Sequence, residues 1–303
     1  MAIVNPVSAN GKTAELWPRY EAYFKKQGIN LEKRFTSYPG HAIELAMEYA
    51  EDGYDRIMAV GGDGTINEVV NGLYSSNNQL INEKSRLIVF SQGTGCDYIR
   101  TLGIGNNVED IVDIIKRDKL SMLDLGQVAF INYRGVQEKR FFVNLSDTGI
   151  GAATAKLVNE SSKRLGGLLT YLLGIIRTLI VYKNREMKIS IDGELKYNQV
   201  LNSLIIANGK YFGGGIKIAP EAELDSGTFN IVALKNFSKI DIIANLIRAY
   251  KGTHLSHPRV ESLEASEILI ESAHSLDLEV DGESLGTVPA RFKVHKALLP
   301  VLI

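Results

Sequence analysis

Arg56-Ile-Met-Ala-Val60, then Gly61-Gly62-Asp63-Gly64-Thr65, then Ile66 to Leu73: these adjoining stretches set the reading of the first half of the chain. The first is a short apolar run of strand character, and the last has the spacing of a helix. The five residues between them form a glycine-rich strand-to-helix turn. Glycine admits positive φ and lets the backbone come close to a bound group. The unsatisfied N–H groups at the helix start, reinforced by the helix dipole, favour phosphate. Thr65 is placed to cap that helix or to bind a phosphate oxygen. Asp63 is the informative residue, because an acid in a phosphate-binding turn repels its ligand unless it binds a ribose hydroxyl or a metal-linked water. The alternative is a tight connection in which Asp is an ordinary turn residue. The spacing is neither G-x-G-x-x-G nor G-x-x-x-x-G-K-S/T. With no lysine after the glycines, triphosphate charge must be met by backbone amides, magnesium or residues elsewhere.

The same architecture recurs one strand later. Arg86-Leu-Ile-Val-Phe90 reads as a strand, Ser91-Gln-Gly-Thr-Gly95 as a flexible loop, and Cys96-Asp-Tyr-Ile-Arg100 as the opening of a helix. Thr94 and Asp97 match Thr65 and Asp63 in kind. A third candidate is the loop Asn5 to Gly11, which follows the apolar Ala2-Ile-Val. Turns from adjacent strands face one crevice at the carboxyl edge of an open α/β sheet, where such folds bind ligands. Helical patterns lie between them, one with Trp17, Tyr20, Phe24 and Lys25, another over His41 to Glu51, with a strand near Leu31 to Thr36. Strands alternating with helices predict a mostly parallel sheet covered on both sides.

From about Asp124 the rhythm changes to strand-like runs: Gly126 to Ile131, Lys139 to Leu145, Met187 to Asp192, Gln199 to Ala207, Thr228 to Leu234 and Glu267 to Ile270. Two helical stretches interrupt them, Leu165 to Tyr182 and Ile240 to Lys251. This half is expected to be antiparallel with inserted helices. The expected division is a nucleotide-binding domain over 1–123, with the segment about 298–303 a candidate to return to it, and a β-rich domain over 124–297.

Composition excludes several classes of protein. The 303 residues are 45% hydrophobic and 23% charged, ordinary for a globular chain with a sizeable core. The single cysteine, Cys96, rules out an intrachain disulfide and fits a reducing compartment. A net charge of -1 gives no global basic field for nucleic acid or an anionic membrane; a local basic patch would not show in that sum. Met1-Ala-Ile-Val4 lacks the charged region and long apolar stretch of an export signal. The most apolar segment, Leu165 to Tyr182, is interrupted by Arg177, flanked by Lys163, Arg164 and Lys183, and short for a membrane span. A cytoplasmic protein is expected.

Taken in order, Asn5-Pro6, the run Gly61 to Glu68, Gly93-Thr94-x-x-Asp97, Leu123-Asp124-Leu125-Gly126 and Val280-Asp281-Gly282-Glu283 resemble the diacylglycerol kinase catalytic-domain family, the bacterial soluble lipid kinases above all. GGDGT alone is shared with NAD kinases and, as GGDGS, with phosphofructokinases; the ordered set is more specific and spans nearly the whole chain. The resemblance implies an α/β N-terminal domain of the phosphofructokinase/NAD kinase kind, then a β-sandwich domain with inserted helices. It implies ATP and Mg2+ as cofactors and transfer of the γ-phosphate to the hydroxyl of diacylglycerol, giving phosphatidic acid. The alternatives are a kinase of another lipid alcohol, phosphatidylglycerol or a sphingoid base, and a non-catalytic nucleotide-binding regulator. Implied with the activity are a lipid substrate and peripheral contact with the inner face of the membrane; a homodimer is compatible with it.

The resemblance also implies roles. The ATP site would comprise Asn5, Pro6, Ser8 and Gly11, Thr36, the run Gly61, Gly62, Asp63, Gly64, Thr65, Ile66 and Asn67, and Thr94. Thr36 enters because Thr36-Ser-Tyr-Pro-Gly-His-Ala42 is similar to the family's Thr, spacer, Gly-x-Ala pattern; its local reading is a β-branched residue ending a strand. Asp63, Asp97 and Asp124 resemble the trio that organises magnesium and water, for which hard oxygen ligands are suited, although Asp124 alone reads equally as a turn acid. Gly213-Gly-Gly215 and Ala219 to Gly227 resemble a second metal loop with Asp225 as ligand. Family members often carry two acids before that glycine, whereas this chain has Asp225-Ser226. Cys96 stands where Asn is usual. Locally, Asp281-Gly282 reads as a hairpin turn; the resemblance makes Asp281 the general base and Glu283 the residue that orients it or the metal. The helix within Leu165 to Tyr182 is apolar nearly all round and reads as buried; its alternative is to line an acyl-chain cleft, with Arg164 or Arg177 near headgroups.

Overall fold

The computed structural model describes residues 1–93, 95–160 and 167–303, without the side chains of 159, 160 and 167–172. The chain divides into two units, Met1–Leu123 with Ala297–Ile303, and Asp124–Lys296.

In the first unit β1 (Ala2–Val4), α1 (Lys12–Lys26), β2 (Lys33–Phe35), α2 (His41–Glu51), β3 (Arg56–Gly61), α3 (Asp63–Gly72), β4 (Arg86–Ser91), α4 (Asp97–Leu102) and α5 (Val108–Arg117) follow in turn. The strands lie in the order β2-β1-β3-β4, every pair parallel. β1, β3 and β4 are apolar almost throughout, as strands buried on both faces must be. One face packs Val4, Val60 and Phe90 against Trp17 and Phe24 of α1 and Ile111 of α5. On α3, a Cβ added at Gly72 would lie 2.2 Å from the Ile43 carbonyl oxygen of α2; glycine there lets the two helices touch. Asn107 and Asp110 form a capping box at the start of α5, a helix absent from the sequence reading. The end of the chain completes this sheet: Val301 pairs in parallel with Leu87, and Tyr74 donates its hydroxyl proton to the Leu298 carbonyl at 2.7 Å.

Next in chain order come β5 (Leu120–Asn132), β6 (Gln137–Phe142), β7 (Leu145–Gly149), α6 (Ile150–Glu160), α7 (Gly167–Val181), β8 (Arg185–Ile191), β9 (Glu194–Leu201), β10 (Ser203–Ala207), β11 (Phe229–Leu234), α8 (Lys239–Lys251), β12 (Val260–Ala265), β13 (Glu267–Glu271), β14 (Asp277–Val280) and β15 (Glu283–Leu302). Within the second unit one run of strands is ordered β12-β11-β10-β7-β14-β15; β15 also pairs with β13 and β5, which lead to β8-β9 and β6. The pairs along β12-β11-β10-β7-β14-β15, and β13–β15, β13–β8, β8–β9 and β5–β6, are antiparallel, and the arrangement is sandwich-like, as expected. Alternation assigns the two faces of β10 to different cores. Leu204 and Ile206 join Phe142, Phe229 and Phe292 in one, and Ile205 and Ala207 meet Ile175, Leu179 and Leu246 of the helices in the other.

Several expected elements are corrected here. α3 starts at Asp63, not Ile66, so Asp63, Gly64 and Thr65 of the glycine turn are already helix. The single strand expected over Gln199 to Ala207 is two, broken at Asn202, whose buried side chain bonds Phe237 on both N–H and C=O. The strand expected over Lys139 to Leu145 stops at Phe142 and resumes at Leu145, because the intervening amides bond a side chain instead of a neighbouring strand. α6, rich in small residues, lacked a polar–apolar period. The described part of α7 is not buried all round: Leu173, Ile176, Ile180 and Val181 are exposed.

Candidate functional site

At the carboxyl edge of the first unit's sheet, the segments after β1, β3 and β4 are tied together. The Asn5 side chain donates to Thr65 Oγ1 at 2.9 Å, and Asn5 N–H bonds the Val60 carbonyl. Ser8 Oγ donates to the Asn5 carbonyl and lies 2.5 Å from Thr13 Oγ1. The chain passes through left-handed Ala9, Asn10 and Gly11 to enter α1. Thr36, just past β2, bonds Val4 through its amide. α3 begins behind Gly62 with no side-chain cap, so among the described residues the first-turn amides at Asp63, Gly64 and Thr65 have no capping side chain and suit an anion. Two glycines are required by contact. A Cβ at Gly61 would lie 2.5 Å from Thr65 Oγ1, and one at Gly93 would lie 2.7 Å from the Gly62 Cα.

Asp63 turns its carboxylate away from those amides. It accepts N–H bonds from Asp97 at 3.2 Å and Tyr98 at 3.3 Å, which removes the repulsion expected of an acid in this turn. Burial raises its pKa, and the two amides and Arg100 oppose that shift. Asp97 in turn accepts from Arg100 at 2.8 Å. Both carboxylates close on Gly95, where an added Cβ would lie 3.1 Å from Asp63 Oδ2 and 3.4 Å from Asp97 Oδ2. Hard oxygens converging on a residue without a side chain fit magnesium, which is commonly held by one or two carboxylates plus phosphate oxygens. Cys96, in the αL region at φ 51°, donates its thiol to the Gly93 carbonyl; Asn is favoured in that conformation, which gives a backbone reason for the residue usual there. Ile66 and Asn67 are buried, and the Ile66 amide is bonded to Gly62; they hold the helix in place. Thr94 lies outside the described residues, as do Lys163 and Arg164.

In the second unit, Asp281 and Gly282 form a two-residue hairpin between β14 and β15 with φ of 46° and 88°, so the local turn reading describes the backbone. The side chain does something further. Its carboxylate accepts the amides of Val143 at 2.8 Å, Asn144 at 3.0 Å and Leu145 at 3.0 Å. The network continues: Asn208 donates to the Val143 and Asp124 carbonyls at 2.9 and 3.0 Å, and the Asp124 carboxylate accepts from Gly227 N–H at 2.5 Å. Asp281, Asp124 and the loop bearing Asp225 thus share one bonded framework. Asp225 itself is exposed, while Ser226 spends its hydroxyl on the Glu223 and Thr228 carbonyls and so locks the turn. Gly213, Gly214 and Gly215 form the tip of a small bridge between Phe212 and Ile216. Among the described residues, no group of three or more His, Cys, Asp or Glu side chains forms a metal cage.

Two buried acids escaped the sequence reading. Asp147 of β7 and Glu279 of β14 are directly opposite one another. Burial pushes Asp147 up to about 7, against bonds from Ser203, Ala152, Thr148 and Gly151. Burial first, then the Asp147 charge, raises Glu279 well above the usual carboxylate range. Among the described residues, Asp147 Oδ1 and Glu279 Oε2 have no hydrogen-bond partner. Glu279 also accepts the Gly282 amide, so it braces the Asp281 turn. Asp147 lines an apolar cavity of about 100 Å³ with Ile150, Ile175, Ile205, Phe212 and Leu246 among its walls. An acid alternating with apolar residues, as in Leu145-Ser-Asp147 and Leu278-Glu279-Val280, was the available signal. Asn144 and Asn208, both at strand ends, could have been noticed the same way.

Comparison with known proteins assigns both parts of the chain. Residues 1–128 match the diacylglycerol kinase catalytic domain, and residues 145–303 match the YegS C-terminal NAD kinase beta sandwich-like domain. The protein is a kinase. The chain belongs to the diacylglycerol kinase catalytic-domain family, in the form that joins that domain to a β-sandwich. It is 29% identical over 297 residues to the diacylglycerol kinase of Bacillus subtilis, covering 96% of this chain and 91% of the relative. It is 28% identical over 290 residues to that of Staphylococcus aureus, covering 96% and 87%. The crystal structure of a diacylglycerol kinase from Bacillus anthracis shares the fold, with a TM-score of 0.70, 21% identity and coverage of 99% and 95%. Among the described residues, no helix is long and apolar enough to cross a membrane.

Proposed function

We propose that the protein transfers the γ-phosphate of ATP to the hydroxyl of diacylglycerol, giving phosphatidic acid. The observation that carries this reading is the uncapped start of α3 beside the paired carboxylates of Asp63 and Asp97. Backbone amides there take phosphate oxygens, Asn5 holds Thr65 in place, and Gly61 and Gly93 allow close approach. Asp63 and Asp97 would hold magnesium, which when bound neutralises charge on the transferring group. An alcohol is a poor nucleophile at neutral pH. Asp281, its carboxylate oriented by three amides, takes the acceptor's hydroxyl proton as the new P–O bond forms and the bond to the departing ADP oxygen breaks. Glu283 follows on the partner strand of the same hairpin and orients that turn. The cavity holds part of an acyl chain, each buried methylene contributing about 0.8 kcal/mol.

The test supplies γ-labelled ATP and magnesium to the purified protein with dioleoylglycerol, phosphatidylglycerol or sphingosine in mixed micelles. Label in phosphatidic acid is expected. Label confined to another lipid transfers the reading to that alcohol. Tight ATP binding with no labelled lipid overturns it in favour of a nucleotide-binding regulator.

A further inference from the structure

α7 and α8 each have two apolar faces. Their inner faces are accounted for: Ile175 of α7 and Ile242, Leu246 and Ala249 of α8 line the cavity. Their outer faces are not. On α8, Ile240, Ile243 and Ile247 are 78%, 52% and 67% exposed, and on α7 Ile176 and Ile180 are 48% and 69% exposed. Both sets follow helical spacing, so each is a stripe rather than a scatter. The stripes adjoin, because Lys239 at the start of α8 donates to the Ile180 carbonyl at 2.8 Å. Apolar side chains gathered on one side of a soluble unit mark a binding surface.

Charge selects the occupant. Arg177, Lys183 and Lys239 are exposed on or beside the stripes. The nearby acid, Asp241, is engaged by Ser238 in the helix cap and by Arg259. Isoleucines bordered by basic side chains match the boundary of an anionic bilayer, where the apolar groups enter the acyl region and the cations meet lipid phosphates. We infer that the outer faces of α7 and α8 form one docking face for an anionic membrane, laid over the helices that wall the cavity. The inference gives the lipid-kinase reading its membrane surface, but its measurement needs neither ATP nor turnover.

The test is sedimentation of the full chain with vesicles of phosphatidylglycerol and phosphatidylcholine, or of phosphatidylcholine alone, without nucleotide. Binding to the anionic vesicles is expected, weakening as salt rises. The double variant Ile243→Asn, Ile247→Asn should bind at least tenfold more weakly with an unchanged melting midpoint, since both positions are exposed. Arg177→Gln and Lys183→Gln should each cost roughly fivefold, and Leu195→Asn, exposed on β9, nothing. Wild-type binding by the double variant overturns the inference, as does equal binding to uncharged vesicles. Failure of the wild type to bind also overturns it, including the case where gel filtration shows a dimer that the double variant loses, which would assign the face to a second copy. A protein that binds vesicles yet labels no lipid would leave the docking face standing and remove the kinase reading.

Discussion

At the Gly61–Thr65 turn and at the Asp281–Gly282 turn, an aspartate reaches across to the main chain of another segment, half-buried in the first and buried in the second. Asp63 takes the amides of Asp97 and Tyr98; Asp281 takes those of Val143, Asn144 and Leu145. The two turns differ in what remains after that bonding. The first leaves helix-start amides without a capping side chain, and so offers donors to an anion. The second consumes its amides and is surrounded by further acids, Glu279 and, through it, Asp147. One device of side chain on backbone therefore builds a donor surface in one unit and an acceptor cluster in the other.

The sharpest way to break that comparison is Asp281→Asn. On the base reading it lowers turnover about a thousandfold while ATP affinity, measured by calorimetry, stays within twofold. The amide cannot accept all three bonds with the same geometry, so chemical denaturation should also register a loss of about 3 kcal/mol. Turnover within tenfold of wild type would leave Asp281 as a structural carboxylate only.

Asp147 supplies the next largest effect. Its folded pKa lies near 7, above the ordinary 3.8, so the folded protein binds this proton more tightly than the unfolded chain does. Stability is then fullest below about pH 4 and falls as pH rises toward 7, by no more than roughly 4 kcal/mol; Glu279 shifts in the same direction. Asp147→Asn should flatten that slope in denaturation curves across this range, and an unchanged slope would refute the assignment.

Gly93→Ala tests the donor surface, because its Cβ would lie 2.7 Å from the Gly62 Cα. We expect a stability loss of about 2 kcal/mol and ATP binding at least tenfold weaker, with unaltered affinity counting against the turn. Smallest is Ser226→Ala, which unlocks the turn bearing Asp225. It should cost about 1 kcal/mol and leave ATP affinity unchanged.

Legibility followed locality. Gly61 to Thr65 could be read because glycines and acid lie within one turn; the structure starts the helix at Asp63, so Gly62 and not Thr65 stands at the cap position. The alternation of strands and helices over residues 2–100 was equally plain, since strands buried on both faces are continuous apolar runs. What could not be read was long-range bonding. Nothing near Val143 reveals that an acid 138 residues away takes its amide, so the strand break there was invisible. Asp63 read locally as a partner of a ribose hydroxyl or a metal-linked water, and its tie to the next turn through the Asp97 and Tyr98 amides left no mark nearby. Asn202 ends a strand through Phe237, a partner 35 residues away. The exposed stripe on α7 was misread because an apolar face turned to solvent has the same sequence as one turned to a core.

β15 starts at Glu283 in one unit, and the chain's last residues finish the sheet of the other, with Leu302 in its core. During synthesis residues 1–123 leave the ribosome long before residues 297–303 exist. Until then the β4 side of the first unit's sheet is an open edge, a template for unwanted strand pairing. The first unit therefore cannot mature domain by domain. Its completion waits on translation of everything between, so a premature stop near the end would damage the first unit built as well as the last.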